Sequence, residues 1–328
     1  MGRVKNYFDM VKRVRMKIPN CNYLSAILIP FDIHYWKKQY QLLESEYFFY
    51  DFLKKSKRQR LEYVRDYECM HNIPDTFNNS QEYRILEDKN LFNAFFSDSI
   101  GRGYVLIDSE QSYENFVAFA KKYPDFMCKP LNNLGGFGIR KISISNTNLE
   151  KIWNEILSQE PCILEEVLSQ HTEMAALNPD TLNTIRVVSM VDEKGNINIP
   201  LANIRIGRNG AVVDNFCSGG MSASVDIKSG IVSSMAHTKQ MESYSIHPDT
   251  QCPILGHQIP EWDKVLDIVR NSAQRLPTLR YIGWDVAIKK DGTVCLIEGN
   301  HNAGSDVHQV AAGKGLRSLY EECLGSWN

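Results

Sequence analysis

The sequence predicts an α+β fold built on antiparallel sheets, preceded by a mainly helical N-terminal region. Three observations predict it. Residues 1–88 carry aromatic and aliphatic side chains at roughly helical spacing. From about Tyr104 short apolar runs alternate with helical segments, and from 184 onward β segments follow one another across tight turns. Segment 281–300, YIGWDVAIKKDGTVCLIEGN, reads as two strands joined at Asp291-Gly292, a dipeptide that favours a two-residue hairpin loop. Successive strands without intervening crossover helices pair antiparallel rather than as βαβ units.

The elements follow in order. Segment 37–67 carries Tyr40, Leu43, Tyr47, Phe48, Phe52, Leu61 and Val64 at helical spacing around the charge run KKSKRQR. A break is expected at 72–75, because Pro74 lacks an N–H. Asp88 is an expected N-cap for a helix opening at Lys89. Strands are expected at 104–107, 126–129, 139–144 and 162–168, with helices at 112–122 and 149–157 between them. Further strands are expected at 184–191, 197–205 and 211–213, a helix at 260–276, and a last helix from 305 or 306.

Bulk numbers narrow the function. The chain has 328 residues, 43% hydrophobic and 23% charged, as in ordinary globular proteins, with room for two or three subdomains. A net charge of −2 gives no overall basic field for nucleic acid. The eight cysteines are scattered, with no C-x-x-C pair, which argues against zinc or a disulfide framework and for a reducing, cytoplasmic setting. No apolar run approaches the ~20 residues of a membrane span, and the first residues contain no signal-like apolar core. They are basic instead. Arg3, Lys5, Lys12, Arg13, Arg15 and Lys17 interleave with Val4, Tyr7, Phe8, Val11 and Val14, a pattern for a solvated amphipathic helix or for contact with an acidic membrane.

Four clusters could carry chemistry. In the 281–300 hairpin, a two-residue loop pairs Asp285 with Glu298 and places Asn300 on the same face, with Trp284, Val286, Ile288, Cys295 and Ile297 on the other. Opposed residues have Cβ atoms only ~4.5–5.5 Å apart, so two carboxylates there repel unless a cation intervenes. Oxygen ligands suit Mg²⁺; the other reading is a solvated surface hairpin. Lys129 followed by Asn132-Asn-Leu-Gly-Gly-Phe-Gly138 can fold N–H groups over phosphates beside a point charge, or be a flexible turn. The apolar strand ending in Glu165, Glu166 and Val167, followed by Glu173, suits a purine nucleoside, or an acidic helix start. Arg186 and Arg205 sit inside apolar strands, where an arginine normally has an acid or phosphate partner; Asn215 and Ser218-Gly-Gly220 follow. His171, His301 and His308 are candidate bases by residue type only.

Over residues 89–315 these pieces, in this order, resemble an ATP-grasp enzyme. The phrases DTLNTIRVVS (180–189), NIRIGRNGAVVDNFCSGGM (203–221), GWDVAI (283–288) and LIEGN (296–300) are similar to the sugar-transfer-associated, hexapeptide-transferase-like branch of that superfamily. The resemblance implies a nucleotide held between two α+β subdomains: a lid at 89–175 with the glycine loop and adenine strand, and a C-terminal unit at 176–328 with the metal. It implies that Lys89 and Lys129 contact phosphates, and that Gly135, Gly136 and Gly138 cover them. Glu165, Glu166 and Val167 would bind adenine and Glu173 the ribose. Arg205, with Lys129, would hold the transferring phosphoryl group, while Arg186, Asn215, Ser218, Gly219 and Gly220 face the acceptor. Asp285, Glu298 and Asn300 would bind Mg²⁺. The implied activity is ATP-dependent carboxylate–amine ligation through an acylphosphate, joining an amino acid to a sugar or other small metabolite in polysaccharide or natural-product biosynthesis. A small-molecule kinase and a non-catalytic nucleotide-binding module are the alternatives. The expected partners are ATP and small carboxylate and amine substrates.

Overall fold

The computed structural model describes residues 2–18, 21–131, 138–144, 148–210, 214, 216 and 219–327. Two antiparallel sheets organise them. The smaller contains β1 (Tyr104–Ile107), β2 (Asp125–Pro130), β3 (Arg140–Ser143) and β4 (Cys162–Glu166), in the order β1-β4-β2-β3. The larger contains β5 (Ile185–Val191), β6 (Ile197–Ile206), β7 (Met221–Val225), β8 (Ala236–Thr238), β9 (Ser243–Tyr244), β10 (Tyr281–Ile288) and β11 (Val294–Asn300). Its order is β11-β10-β5-β6-β7-β8-β9. Expected segment 211–213 lies outside the described residues. Strands β7 to β9 are short and rich in Ser, Thr and Ala, and no sequence pattern announced them.

Alternation along β10 and its neighbours sorts the large sheet into two faces. Trp284, Val187, Ala202, Ile204 and Val286 face a core closed by Val265, Leu266 and Val269 of helix Trp262–Gln274. On the other face Val188, Met190, Leu201 and Tyr281 pack against Tyr320 and Leu324 of helix Arg317–Leu324. The small sheet has its own core, formed by Phe116, Phe119, Phe126, Ile152, Trp153 and Leu164. The division expected at residue 89 does not follow the cores. Asp88 caps helix Lys89–Phe95 as expected, accepting from the N–H groups of Asn90 and Leu91. Phe92 and Phe96, however, pack into the large sheet's core, and Phe96 meets Trp284 edge-on at 5.6 Å.

The N-terminal region is helical but shorter in its pieces than the spacing predicts: Tyr23–Tyr40, Glu44–Phe49 and Lys57–Leu61. No break occurs at 72–75. A π-turn at Glu68–Asn72 runs directly into helix Ile73–Phe77. Pro74 sits in the first turn, where no N–H is needed, so the chain continues.

Glu68 ties this region to the C-terminal helix. It is 5% exposed, and it accepts from Arg65 at 2.6 Å, from Arg317 at 2.7 Å and from the Trp327 indole at 3.0 Å. Burial opposes its charge, but the two guanidinium groups outweigh burial and hold its pKa below the usual carboxylate range. A lowered folded pKa gives stability that is complete above the unfolded value and is lost as pH falls through the folded one. Glu68→Gln should therefore cost about 3 kcal/mol near neutral pH. The difference should shrink below about pH 4. Urea titrations at the two pH values test this; a loss independent of pH would contradict it.

Candidate active site

The 281–300 hairpin is present, with a different route to the expected pairing. Its loop has three residues, not two: Lys289 N–H bonds Thr293 O at 2.8 Å, and Gly292 takes φ +80°. That shifts the register by one, so Val286 pairs with Leu296, Ala287 with Cys295 and Ile288 with Val294. A β-bulge at Ile297 then restores the pairing of Asp285 with Glu298. The apolar partners are corrected accordingly. Leu296 and Val294, rather than Ile297 and Cys295, share the Trp284 face.

Asp285 is the centre of a polar row across four adjacent strands. Glu298 opposes it on β11 and Arg186 on β5, and Asn203 on β6 opposes Arg186 in turn. The Asp285 carboxylate is 2% exposed. Arg186 grips it through two bonds, Nε at 2.5 Å and Nη2 at 2.9 Å, and Arg205 adds a third at 2.9 Å. The acid partner expected for both arginines is thus the same residue. Burial would raise the Asp285 pKa, but the two arginines overcome it and hold the group ionised. Glu298 shifts the other way: burial raises its pKa, and the Asp285 charge raises it further. Asn300 donates to Glu298 at 3.3 Å.

At the opposite end, Glu165 is 3% exposed. Its Oε1 accepts from Arg102 at 2.9 Å and from Asn93 at 2.8 Å, and its Oε2 pairs with Lys129 at 2.6 Å. This carboxylate positions Lys129. Arg102 also donates to the carbonyls of Leu296 at 2.6 Å and Ile297 at 3.1 Å, the segment freed by the bulge. The small sheet is thereby fastened to the hairpin. Lys89 donates to Leu131 O at 3.1 Å; burial lowers its pKa and Lys129 lowers it further, while Glu298 and Glu165 act oppositely.

A cleft of about 430 Å³ joins the two ends. Lys129, Glu165, Glu166 and Val167 line one side; Arg205, Asp285 and Glu298 line the other. Glu166 also accepts from the Gly103 N–H at 3.0 Å. Glu173 lies apart from these residues. It is exposed and does not line the cleft, because its short helix turns Ala175 inward, and residues two apart on a helix point away from each other. Its charge lies nearer Cys252 and His257. Gly219 and Gly220 precede β7, beside the Arg205 end of β6, and the Gly219 carbonyl accepts from Arg208. Gly138 has φ +77°; Gly135, Gly136, Asn215 and Ser218 lie outside the described residues. His171 accepts from the Glu173 N–H, and His301 stacks on Tyr83 and bonds Glu87. His308 is buried, which lowers its pKa to about 4.

Three participants escaped the sequence reading: Arg102, Asn93 and Asp214. Asp214 lines the cleft and accepts from the N–H (2.7 Å) and hydroxyl (2.5 Å) of Thr184. Only its place in the motif 203–221 could have flagged it.

Among the described residues, no three His, Cys, Asp or Glu side chains are placed to hold a metal by themselves. Asp285, Glu298 and Asn300 nevertheless fit Mg²⁺, which takes one or two carboxylates and completes its shell with substrate phosphates and water. The repulsion that raises the Glu298 pKa is the repulsion a cation removes.

Among solved structures, the fold is similar to the ADP complex of purK, N5-carboxyaminoimidazole ribonucleotide synthetase. Identity is 12% and the TM-score 0.46, over 70% of this chain and 48% of that one. It is also similar to ATP-grasp ligase PsnB complexed with a phosphomimetic variant of minimal precursor, Mg and ADP (15%, 0.47, 75% and 60%). A third is N5-carboxyaminoimidazole synthetase from Staphylococcus aureus complexed with ADP (9%, 0.47, 71% and 49%). The chain spans about half to three fifths of the length of these proteins. No curated protein sequence matches it. The model of the sugar-transfer associated ATP-grasp family matches residues 69–323, more than half of the sequence, with the two-sheet architecture and every motif phrase inside the match. The chain belongs to that family and has the ATP-grasp fold.

Proposed function

We propose that the protein is an ATP-dependent carboxylate–amine ligase that works through an acylphosphate, joining an amino acid to a sugar or other small metabolite in polysaccharide or natural-product biosynthesis. The observation that carries this reading is the charge layout of one cleft. Lys129, positioned by Glu165, stands at one end; Arg205 and the Asp285–Glu298 pair stand at the other. That layout suits a triphosphate lying lengthwise, with the nucleoside at the Glu166–Val167 side.

The reaction transfers the γ-phosphoryl group of ATP to a substrate carboxylate, releasing ADP; an amine then displaces phosphate. Lys129 and Lys89 offset charge on the phosphates, and Arg205 stabilises the transferring group as charge spreads over its oxygens. Asp285 holds Arg205 in place and keeps Arg186 beside the acceptor position. Asp285, Glu298 and Asn300 would hold Mg²⁺, which when bound neutralises phosphate oxygens. The first step needs no general base, because the attacking carboxylate is already ionised. The absence of a positioned histidine among the described residues is compatible with that.

Incubating the protein with MgATP, pooled amino acids, uronic and amino-sugar acceptors, and hydroxylamine tests the reading. The expected products are ADP, free phosphate and a hydroxamate. ADP with a phosphorylated product and no free phosphate would make it a kinase. ATP binding without turnover would leave a nucleotide-binding module.

A further inference from the structure

The first two helices, Gly2–Lys17 and Tyr23–Tyr40, lie against each other. Tyr7 donates to Ile27 O at 2.7 Å, and its ring meets Phe31 at 5.3 Å. Helix Tyr23–Tyr40 is apolar on two opposite sides. Its inner side, with Ala26, Ile29, Ile33 and Trp36, is buried in a third core. Its outer side presents Leu24, Leu28, Phe31 and Tyr35, which are 68%, 56%, 61% and 44% exposed. They follow at four, three and four residues, a single stripe along the helix. Phe8 of the first helix, edge-on to Tyr7 and so next to Phe31, adds to it at 59% exposure. A solvent-facing helix side ordinarily carries charge there, and contiguous exposed apolar surface of this kind marks an interaction site.

The charges around the stripe have one sign. Among the described side chains of the two helices, every charged residue that is exposed rather than half-buried is a cation: Lys12, Arg13, Arg15, Lys17, Lys37 and Lys38. Arg13 is paired with Glu44. The two acids, Asp9 and Asp32, are half-buried, and Asp32 is bound to Arg60 at 2.7 Å and Tyr47 at 2.5 Å.

We propose that this face docks on a bilayer surface bearing anionic headgroups. Apolar and aromatic side chains enter the acyl boundary, tyrosines sit at headgroup level, and the basic rim meets lipid phosphates. The contact is peripheral, since no helix among the described residues is long and apolar enough to cross a membrane. A second copy fits less well. A twofold contact through this face would set one basic rim against another, with only the half-buried Asp9 and the already bound Asp32 as acids on the two helices.

Vesicle flotation of the full chain tests the proposal, with phosphatidylcholine alone and with phosphatidylcholine–phosphatidylglycerol mixtures. Binding is expected only to the anionic vesicles and should fall as salt rises. Leu28→Gln with Phe31→Gln, and separately Lys12→Gln with Arg15→Gln, should each weaken binding at least about tenfold. Nucleotide binding should stay unchanged in both, which shows that the variants are folded. Three results would overturn the proposal. One is no binding to either vesicle; another is equal binding to both. The third is a dimer in sedimentation velocity that Leu28→Gln dissociates while vesicles are ignored, which would assign the face to a second copy.

Discussion

Asp285→Asn is expected to lose both turnover and stability, whereas Glu298→Gln is expected to lose turnover alone. The two carboxylates are cross-strand neighbours, yet their surroundings are opposite. Among the described residues Asp285 is the carboxylate that Arg186 bonds, and it also holds Arg205. Removing its charge leaves two largely buried guanidinium groups without the carboxylate they bond, a change that costs about 3–5 kcal/mol. Glu298 carries no such partner, and both burial and the Asp285 charge already disfavour its ionised form. A neutral amide of the same shape should leave the fold within about 1 kcal/mol of wild type. Turnover should fall at least about a hundredfold in each, because the site loses a group that organises developing charge. Urea titration and ADP release measure the two effects separately. Full turnover in both variants would remove the pair from the active site, and a fully stable Asp285→Asn would contradict the ion-pair argument.

Glu165→Gln should be nearly as damaging, by a different route. Its carboxylate is shared among Arg102, Asn93 and Lys129, from three separate parts of the chain. Burial would raise its pKa, but Arg102 and Lys129 reverse the effect and hold it well below the usual range. The stability this gives is present above the ordinary carboxylate pKa and is lost on acidification. The amide should cost about 3–5 kcal/mol near neutral pH. It should also weaken ATP binding, since Lys129 loses the contact that aims it. Lys129→Met separates the two consequences, because it leaves Glu165 with Arg102 and Asn93. That variant should weaken ATP binding by about tenfold or more and change stability far less than Glu165→Gln. Equal stability losses would mean that Lys129, not Arg102, dominates the cluster. Calorimetric titration with ATP and thermal melts read both.

The parts of this site that were legible in the sequence share one property: their signal is local. Asp291-Gly292 announces a hairpin, period-two alternation announces β5 and β10, and Asp88 announces a helix start. Arginines within the apolar strands at 186 and 205 required an anion, and Asp285 supplies it. What stayed hidden depends on contacts distant along the chain. Arg102 lies 63 residues before Glu165 and 194 before Leu296, so nothing near it betrays its partners. Nothing in the apolar strand around Glu165 tells that its charge pairs with Arg102 and Lys129; only the fold reveals it. Glu173 lies outside the cleft for a smaller reason. The rotational phase of a six-residue helix is set by how its ends are tied, here by His171 and its bond to Ile288 O, rather than by its own pattern.

The extra residue in the Asp291 loop and the extra residue at Ile297 cancel. Had the loop been one residue shorter with a regular second strand, Asp285 would still oppose Glu298. Either irregularity alone would slide β11 by one position and turn Glu298 to the opposite face. The same residues could thus form the acidic pair by either of two routes, a two-residue loop with an unbroken β11 or the three-residue loop with the bulge that is present. A relative that has lost both residues should keep the same acidic pair, but it would also lose the freed carbonyl that Arg102 uses to fasten the small sheet, and would need another clasp there.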